Sequence, residues 1–423
     1  MNFIKKIKKE IFIDCCLGLL LASLPLPFGF INIALGLFII SCIISYKELK
    51  FNRNIALFIP IIYYCLCVFS LAFSIDTQAT LKYLSKGIFF LIIPLFFLFI
   101  PKLSKERCLR IFDIFSYSMV VASIIYLIRA TINYYISGDT DHFFYHSLVT
   151  LDVNAIYISL FIGLAFINLL NKASKKIYDY IFTFILFGFL ILLSSKNVIV
   201  ITLIAMGFSL LRLIKIKQKK PIIALLIVGI LMSIPLSKKI YERFDLEFIN
   251  TSENVVLENG IINVSIKNAW DQKHFDGNHY FNGSSFRVYQ IRIFNEIMQE
   301  NNSYLTGIGV SAEQEKIKEK QINYELDNYY GDLNFHNQYI QSFAGLGVMG
   351  IILVVILNLN NWIKSIRQRD ILFFYFTLLT TSIMFTESLF ERQRGIVFFV
   401  ILYCIFNQIN TSIPNTKNPP NKL

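Results

Sequence analysis

Long apolar stretches alternate with short polar ones along most of the chain. About a dozen apolar runs of roughly 15 to 25 residues occur, a length that crosses a hydrocarbon layer of about 30 Å as a helix. Backbone amides cannot stay unpaired in lipid, and the runs show neither the alternation nor the short spacing of barrel strands. The pattern therefore predicts an all-α polytopic membrane protein with about twelve transmembrane helices.

The predicted spans set the organisation of the chain. They cover residues 11–27, 28–45, 55–73, 84–100, 111–136, 149–170, 180–194, 197–214, 221–236, 337–360, 371–386 and 395–410. Nine spans thus lie within residues 1–236 and three within 336–410, and one large loop, 237–335, separates the two sets. The tail, 411–423, is rich in Pro, Asn and Lys, which predicts disorder.

Composition and charge support this interpretation and orient the chain. Hydrophobic residues make up 55% of the chain and charged residues 16%, with a mean hydropathy of +0.57, which excludes a soluble single-core protein. With the N-terminus inside, the inner segments carry 24 Lys or Arg, whereas the short outer connections carry five. Those five are Lys82, Lys86, Lys196, Arg392 and Arg394. The positive-inside rule therefore places both termini in the cytoplasm and the large loop outside.

The large loop differs from the rest of the chain. It holds fifteen Asp or Glu against ten Lys or Arg, so the net charge of +12 does not indicate a nucleic-acid partner. Its first half is predicted to be irregular. Residues 286–298 place apolar side chains at three- and four-residue spacing, which predicts an amphipathic helix at the membrane surface, capped by Ser284 or Ser285. Gly307 and Gly309 predict a sharp backbone break after it.

One histidine stands out as a candidate for chemistry. His336 lies at the end of the loop, at the outer mouth of the next span, and an imidazole can accept a proton near neutral pH. The alternative is an interfacial histidine beside Tyr339, with the following glycines as a helix-packing face. His142 and His146 are four residues apart, but neither a carboxylate nor a cysteine pattern completes a metal site, so no metal is predicted.

At this point the sequence resembles the O-antigen ligase family. In that family a His followed by Asn, Ser or Gln precedes, after nine residues, a Gly, two further residues and a small residue. His336, Asn337, Gly347 and Gly350 satisfy this pattern. Arg287, ahead of the Gly-x-Gly break, is similar to an arginine of the family's loop helix. Related O-antigen polymerases share much of this pattern.

The resemblance implies a GT-C-like membrane glycosyltransferase of the bacterial inner membrane. Such an enzyme moves a glycan from undecaprenyl pyrophosphate to a sugar of the lipid A core and needs no cofactor or metal. The expected partners are the lipid-linked donor, a lipid A-core or other glycan acceptor, and membrane lipids. His336 would be the base that activates the acceptor hydroxyl, with Asn337 beside it in the substrate site. Arg287 would bind the departing pyrophosphate, because a guanidinium can hold two phosphate oxygens.

Two further cations are candidates for the same pyrophosphate. Where the family has Ser-Arg at the outer end of an earlier span, this chain has Ser195 and Lys196, and a snorkelling lysine is an equal alternative. Arg392 and Arg394 break the charge rule in the last outer turn. Local pairing with Glu391 is favoured for Arg394, which leaves Arg392 as the better phosphate candidate.

Two other functions stay open at the level of sequence. An O-antigen or surface polysaccharide polymerase would use similar groups with another carrier-linked glycan as the acceptor. A polysaccharide flippase or transporter would use the loop as a gate, although the paired halves and interrupted helices of many transporters are not visible in the sequence.

Overall fold

The structure, a computed structural model, describes residues 2–150, 153–213, 254–256 and 260–409. The predicted ninth span (221–236), the first part of the predicted loop (237–253) and the predicted tail (411–423) lie outside the described residues.

Within those ranges the chain is mostly helical. The apolar helices are α1 (Asn2–Ala22), α2 (Phe28–Ile44), α3 (Ile55–Phe69), α4 (Thr77–Gly87), α5 (Phe89–Phe97), α6 (Lys105–Ser137), α8 (Ala155–Asn171), α9 (Ile177–Leu192), α10 (Lys196–Leu213), α15 (Gln338–Gln368), α16 (Ile371–Ile383) and α17 (Gln393–Gln408). The shorter or more polar helices are α7 (Tyr145–Leu148), α11 (Ile266–Asp271), α12 (Gly283–Glu300), α13 (Gln314–Asn323) and α14 (Asn328–Gly331). Single 3-10 turns occupy Tyr46–Glu48, Ser70–Phe73, Thr140–Phe143 and Leu389–Glu391.

A helix lies at each of the eleven predicted spans that the described ranges include. By length and composition, four helical segments are long and apolar enough to cross a membrane: Ile55–Phe73, Thr77–Phe97, Lys105–Ser137 and Gln338–Gln368. The other apolar helices for which this can be judged are shorter. The fold is therefore that of a helical membrane protein, while the count of twelve spans stays a prediction.

The predicted span 84–100 is in fact part of two helices. Helix α4 begins after Asp76, whose carboxylate accepts a hydrogen bond from the amide of Ala79 at 3.0 Å, and it ends before Ile88. Since α4 carries Lys82 and Lys86 among its apolar residues, it is amphipathic, and hydropathy alone missed its first half.

Two helices form the centre of the bundle. Every residue of α17 from Arg394 to Gln408 is buried, and α8 is buried on nearly all sides. A helix that is apolar all round belongs inside a bundle, where other helices cover each face. Helix α17 packs against α5 and α3, and α8 packs against α6, α9 and α10.

The described part of the large loop forms a small domain of its own, which we call the loop domain (residues 254–256 and 260–337). Strands β1 (Val255–Val256), β2 (Ile262–Asn263) and β3 (His279–Tyr280) form a sheet in which β2 pairs antiparallel with β1 and parallel with β3. Beside it lie α11 to α14. A separate apolar core with several aromatic rings holds this domain together.

The predicted amphipathic helix is confirmed as α12, with two corrections. Its apolar residues Tyr289, Ile293 and Ile297 are at most 1% exposed, so this face packs into the loop domain's own core and not against a membrane surface. The cap is Asn282, whose side chain accepts hydrogen bonds from the amides of Ser284 and Ser285 at 3.0 and 2.9 Å, and not a serine.

The glycine break and the glycines of α15 lie against each other. The amides of Ile308 and Gly309 donate to the carbonyls of Ala344 and Gly345 at 2.8 and 3.1 Å. A Cβ at Gly347 would lie 2.1 Å from the carbonyl oxygen of Leu305, so only glycine permits this approach. These glycines thus join the loop domain to α15, in place of the helix-helix packing considered from sequence.

Candidate functional site

A cleft of about 490 Å³ opens where the loop domain meets the ends of several helices. Its walls come from α4, from the stretch between α7 and α8, from the loop domain and from the connection between α16 and α17. Its charged and histidine side chains are Lys82, Lys86, His146, Glu313, Asp332, His336, Glu387, Glu391 and Arg392. The structure therefore gathers residues from both halves of the chain around one cavity.

His336 lies in this cleft, between the loop domain and the bundle. It has a left-handed backbone conformation with φ of 46°, and its amide donates to the side chain of Asn334 at 2.9 Å. On one side the ring of Phe286 meets the imidazole edge to face, at 5.5 Å between centroids. On the other, Nδ1 lies 3.5 Å from a carboxylate oxygen of Glu387.

The contact with Glu387 directs one ring nitrogen of His336 toward a carboxylate. If Nδ1 carries its proton toward the carboxylate, Nε2 is left as the basic nitrogen. The carboxylate then stabilises the imidazolium that forms when Nε2 takes a proton. Both side chains are largely buried, 27% exposed for His336 and 13% for Glu387, so the attraction is less screened than at a surface.

Three cations share the cleft with His336. Lys82 and Lys86 come from α4, four residues apart and so on one face of the helix, and Arg392 comes from the residue before α17. All three belong to the five basic residues that the predicted topology places in outer connections, where the positive-inside rule disfavours them. A cleft with several cations beside a base suits an anionic substrate, because its walls concentrate the positive field.

A second cavity of about 360 Å³ adjoins the cleft. His146, Asn154, Tyr157 and Arg392 line both cavities. Arg394 lines the second one, where its guanidinium donates to the carbonyls of Leu24 and Leu26 and lies 4.1 Å from the ring of Phe28. These contacts of Arg394 lie with the connection between α1 and α2, and its pairing with Glu391 stays a prediction.

The carboxyl groups of Glu313 and Glu391 also line the cleft. Glu313 is only 2% exposed, and its Oε1 accepts a hydrogen bond from the side-chain amide of Gln341. Glu391 accepts a hydrogen bond from the hydroxyl of Ser311. Burial raises the pKa of Glu313 to about 8, with a further contribution from the charge of Glu391. Burial also raises the pKa of Glu391.

The remaining predicted site residues lie near the cleft but are not among the described residues that line it. Asn337 caps α15: its Oδ1 accepts hydrogen bonds from the amides of Tyr339 and Ile340 at 3.0 and 3.1 Å. Asn337 therefore fixes the start of α15, directly after His336, and its contact with substrate stays a prediction.

Arg287 and Lys196 occupy the same end of the molecule. Arg287 follows Phe286 in the first turn of α12, and its Nη1 donates to the carbonyl of Gly283 at 2.7 Å. Lys196 begins α10 next to Asn197, which forms hydrogen bonds to Ser382 and Thr386, immediately before Glu387. Their proposed contacts with phosphate stay predictions.

Sequence reasoning missed Lys82, Lys86, Glu387 and the two carboxyls described above. A signal was available for the lysines, since both are exceptions to the charge rule in an outer connection. No comparable signal marked the glutamates, because their proximity to His336 arises only when the chain folds.

The described residues contain no group of three or more His, Cys, Asp or Glu placed to hold a metal ion. His142 and His146 have separate contacts: Nε2 of His142 lies 3.0 Å from Ser137 Oγ, and Nδ1 of His146 accepts from the amide of Ala155 at 3.4 Å.

The fold and the cleft are those of a helical membrane protein with a histidine and several cations at one mouth of the bundle. A family model described as O-antigen ligase matches residues 181–355, which confirms the resemblance to that family over this part of the chain. No curated protein matches the chain. The matched range contains Lys196, Arg287, Glu313 and His336, whereas Lys82, Lys86, Glu387 and Arg392 lie outside it. The match supports a membrane glycosyltransferase of the O-antigen ligase or polymerase type.

Proposed function

We propose that this protein is an O-antigen ligase-like glycosyltransferase of the bacterial inner membrane. It would transfer a glycan from undecaprenyl pyrophosphate to a sugar hydroxyl of a lipid A core, with the cleft and loop domain on the periplasmic side. The observation that carries the proposal is the convergence of the His336–Glu387 pair with Lys82, Lys86 and Arg392 in one cleft.

The chemistry asks two things of the cleft. The acceptor hydroxyl must lose a proton as its oxygen attacks the anomeric carbon of the donor, and Nε2 of His336 would accept that proton. The bond between the anomeric carbon and the phosphate oxygen breaks, and the diphosphate leaves with the bonding electrons. Lys82, Lys86 and Arg392 would stabilise the negative charge that grows on it.

Glu387 would act through His336. It holds the imidazole and stabilises the transient imidazolium, so the base needs no metal to be effective. Arg287 and Lys196 would add further contacts with the pyrophosphate of the donor.

A reconstituted transfer assay tests the proposal. Purified protein in liposomes receives a glycan on an undecaprenyl diphosphate, together with either lipid A core or a second carrier-linked glycan. We expect transfer to lipid A core and a loss of at least about 100-fold in His336→Ala, since a positioned base contributes about 10² to 10⁴. His274→Ala is the control, because His274 is exposed in the loop domain and its side chain pairs with Glu325 at 3.7 Å.

The same assay separates the alternatives. Transfer only to the second carrier-linked glycan would indicate a polymerase and would overturn the ligase proposal. Movement of the carrier-linked glycan across the bilayer without any transfer, unchanged in His336→Ala, would indicate a flippase. Lipopolysaccharide from a deletion strain gives an independent answer: loss of a ligase leaves bare core, whereas loss of a polymerase leaves core with a single repeat.

A further inference from the structure

Glu313 is a buried acid and Glu391 a half-buried one, and the proposed transfer uses neither. Glu313 precedes α13, is 2% exposed and lines the cleft. One of its carboxylate oxygens, Oε1, accepts the hydrogen bond from Gln341. The other, Oε2, has no hydrogen-bond partner among the described residues. An ionised carboxylate with an unsatisfied buried oxygen is costly, so this group favours its protonated form.

Glu391 lines the same cleft as Glu313. Gln341 donates from its side-chain amide to Glu313, Ser388 Oγ donates to Gln341 Oε1 at 3.4 Å, and the amide of Glu391 donates to the carbonyl of Ser388 at 3.0 Å. Two carboxylates that line one partly enclosed cavity repel each other. Such a pair loses its protons in two steps, and the second step is shifted to higher pH.

The charged surroundings of the pair decide how many protons it keeps. The titratable side chains that line the cleft with it or act on it are Tyr63, Cys67, Lys82, Tyr83, Lys86, Tyr145, His146, Tyr157, Tyr329, Asp332, His336, Glu387 and Arg392. Among these, Lys86 and Arg392 attract Glu391 and favour its ionised form. The effect of Glu391 on Glu313 is the opposite, because its charge raises the pKa of Glu313.

We propose that Glu313 and Glu391 hold one shared proton at neutral pH, and that this proton allows the cleft to bind the diphosphate of the donor. The effect of this proton on donor binding rests on the proposed function. With the proton present, the pair carries one negative charge beside Lys82, Lys86 and Arg392. Without it, the pair carries two, and the cleft then holds a surplus of negative charge next to an anionic ligand.

The direction of the pH effect follows from the raised pKa. Below about pH 8 the proton stays and the cleft accepts the donor. As pH rises through the pKa of about 8 given to Glu313 by burial, the proton is lost and donor binding weakens. Because one proton is lost, the affinity for the donor can fall by at most about tenfold per pH unit.

Infrared difference spectroscopy tests the proton without reference to activity. Reconstituted protein is titrated from about pH 6 to about pH 10, which covers about two units on either side of the raised pKa of Glu313. The carbonyl stretching band of protonated carboxylic acids is followed. We expect a band in the wild type that disappears with a midpoint near pH 8 and is missing in Glu313→Gln. Glu315→Gln should leave the band unchanged, because Glu315 is exposed. A band that is equally strong in Glu313→Gln would overturn the proposal.

Kinetics test the link to the donor. We expect the KM for undecaprenyl diphosphate glycan to rise above about pH 8 in the wild type and in Glu315→Gln. In Glu313→Gln the KM should stay level over this range, since the neutral amide mimics the protonated acid. Identical pH profiles of KM in wild type and Glu313→Gln would overturn the link. Should Glu313→Gln fail to fold, Glu391→Gln provides a second variant: without the charge of Glu391 the pKa of Glu313 falls, so the rise in KM should move to lower pH, and an unmoved rise would overturn the link.

The two proposals fail in different ways. Absence of transfer by the wild type, or full transfer by His336→Ala, would overturn the proposed function, and the infrared titration would still decide whether the two acids share a proton. The wild type could instead transfer glycan with a KM for the donor that does not change between about pH 7 and about pH 9, one unit on either side of the raised pKa. That result would overturn only the role of the proton in donor binding.

Discussion

At the scale of single residues, the chemistry depends on how firmly the imidazole of His336 is held. Two elements fix it: the ring of Phe286 from the loop domain and the carboxylate of Glu387 from the bundle. The start of α15 adds a third constraint, because Asn337 caps that helix directly after the histidine. In the proposed transfer these contacts would keep one imidazole nitrogen directed at the acceptor hydroxyl, which lowers the cost of reaching the transition state.

Replacement of Glu387 by Gln tests this arrangement. The amide keeps the size of the side chain but cannot stabilise an imidazolium by charge. The 3.5 Å contact would tighten into a charge-assisted hydrogen bond as the imidazolium forms, and such a bond contributes about 1.5 to 3 kcal/mol. We expect kcat for transfer to fall about 10- to 100-fold with the KM for donor little changed. The assay is the reconstituted transfer described above, at saturating donor.

Glu325→Gln is the matched control for that substitution. Glu325 pairs with His274 at 3.7 Å in the loop domain, and both side chains are mostly exposed. Its loss should leave kcat as in the wild type. Equal effects of Glu387→Gln and Glu325→Gln would show that the carboxylate beside His336 does not assist the base.

The site residues divide according to what a sequence can reveal. His336 and Arg392 were predicted from their positions at span ends, and both line the cleft. Glu387 was not, because a glutamate at the end of an apolar segment is common and its distance to His336 depends on how α15 and α16 pack. The contacts of Glu313 with Gln341 are equally invisible, since the two side chains meet only through tertiary folding.

At the scale of elements, apolar runs predicted the helices well because each run must bury its amides within a single helix. The exceptions have physical causes. Helix α4 is amphipathic, so a hydropathy window recognised only its continuation into α5. The prediction that α12 lies at the membrane surface was wrong. The apolar face of an amphipathic helix can be covered by protein as well as by lipid, and here the core of the loop domain covers it.

The glycine kink of α15 is one of the elements that hold the loop domain against the bundle. Gly347 has φ of 62° and ψ of −157°, a region that is essentially restricted to glycine. We expect Gly347→Ala to destabilise the protein by about 1 to 3 kcal/mol from strain alone, and by more if the Leu305 carbonyl cannot move away. The measurement is thermal unfolding of the detergent-purified protein.

Gly36→Ala is the control for the kink. Gly36 lies in α2, where an added Cβ meets nothing within 4 Å, and alanine favours a helix over glycine by up to about 1 kcal/mol. Its stability should therefore be unchanged or slightly higher. A Gly347→Ala protein as stable as Gly36→Ala would mean that the kink is not needed to join the two parts.

At the scale of the whole molecule, charge serves two purposes. The basic residues of the inner segments orient the chain, and the few outer ones gather at the cleft. Of the five exceptions, Lys82, Lys86 and Arg392 line it, Arg394 lines the adjoining cavity, and Lys196 lies beside the connection that carries Glu387. In the predicted topology these five cations lie on the outer face, where the positive-inside rule disfavours them. The proposed binding of an anionic lipid headgroup would account for their presence there.

This interpretation requires that the cleft face the periplasm, and cysteine labelling can test it. Ile322, 67% exposed in the loop domain, and Lys105, exposed at the start of α6, lie on opposite sides in the predicted topology. We expect Ile322→Cys to react with a membrane-impermeant maleimide in cells whose outer membrane alone has been opened. Lys105→Cys should react only after the inner membrane is opened as well.

The wild type, labelled in parallel, gives the background from its seven cysteines, all of them free thiols within apolar helices. The reverse labelling pattern would place His336 and its cations in the cytoplasm. The 24 basic residues assigned to the inner segments would then lie outside, against the positive-inside rule, and the cleft could not meet an acceptor presented on the periplasmic side. Orientation therefore decides between the proposed transfer and any function that uses the same cleft from the opposite side of the membrane.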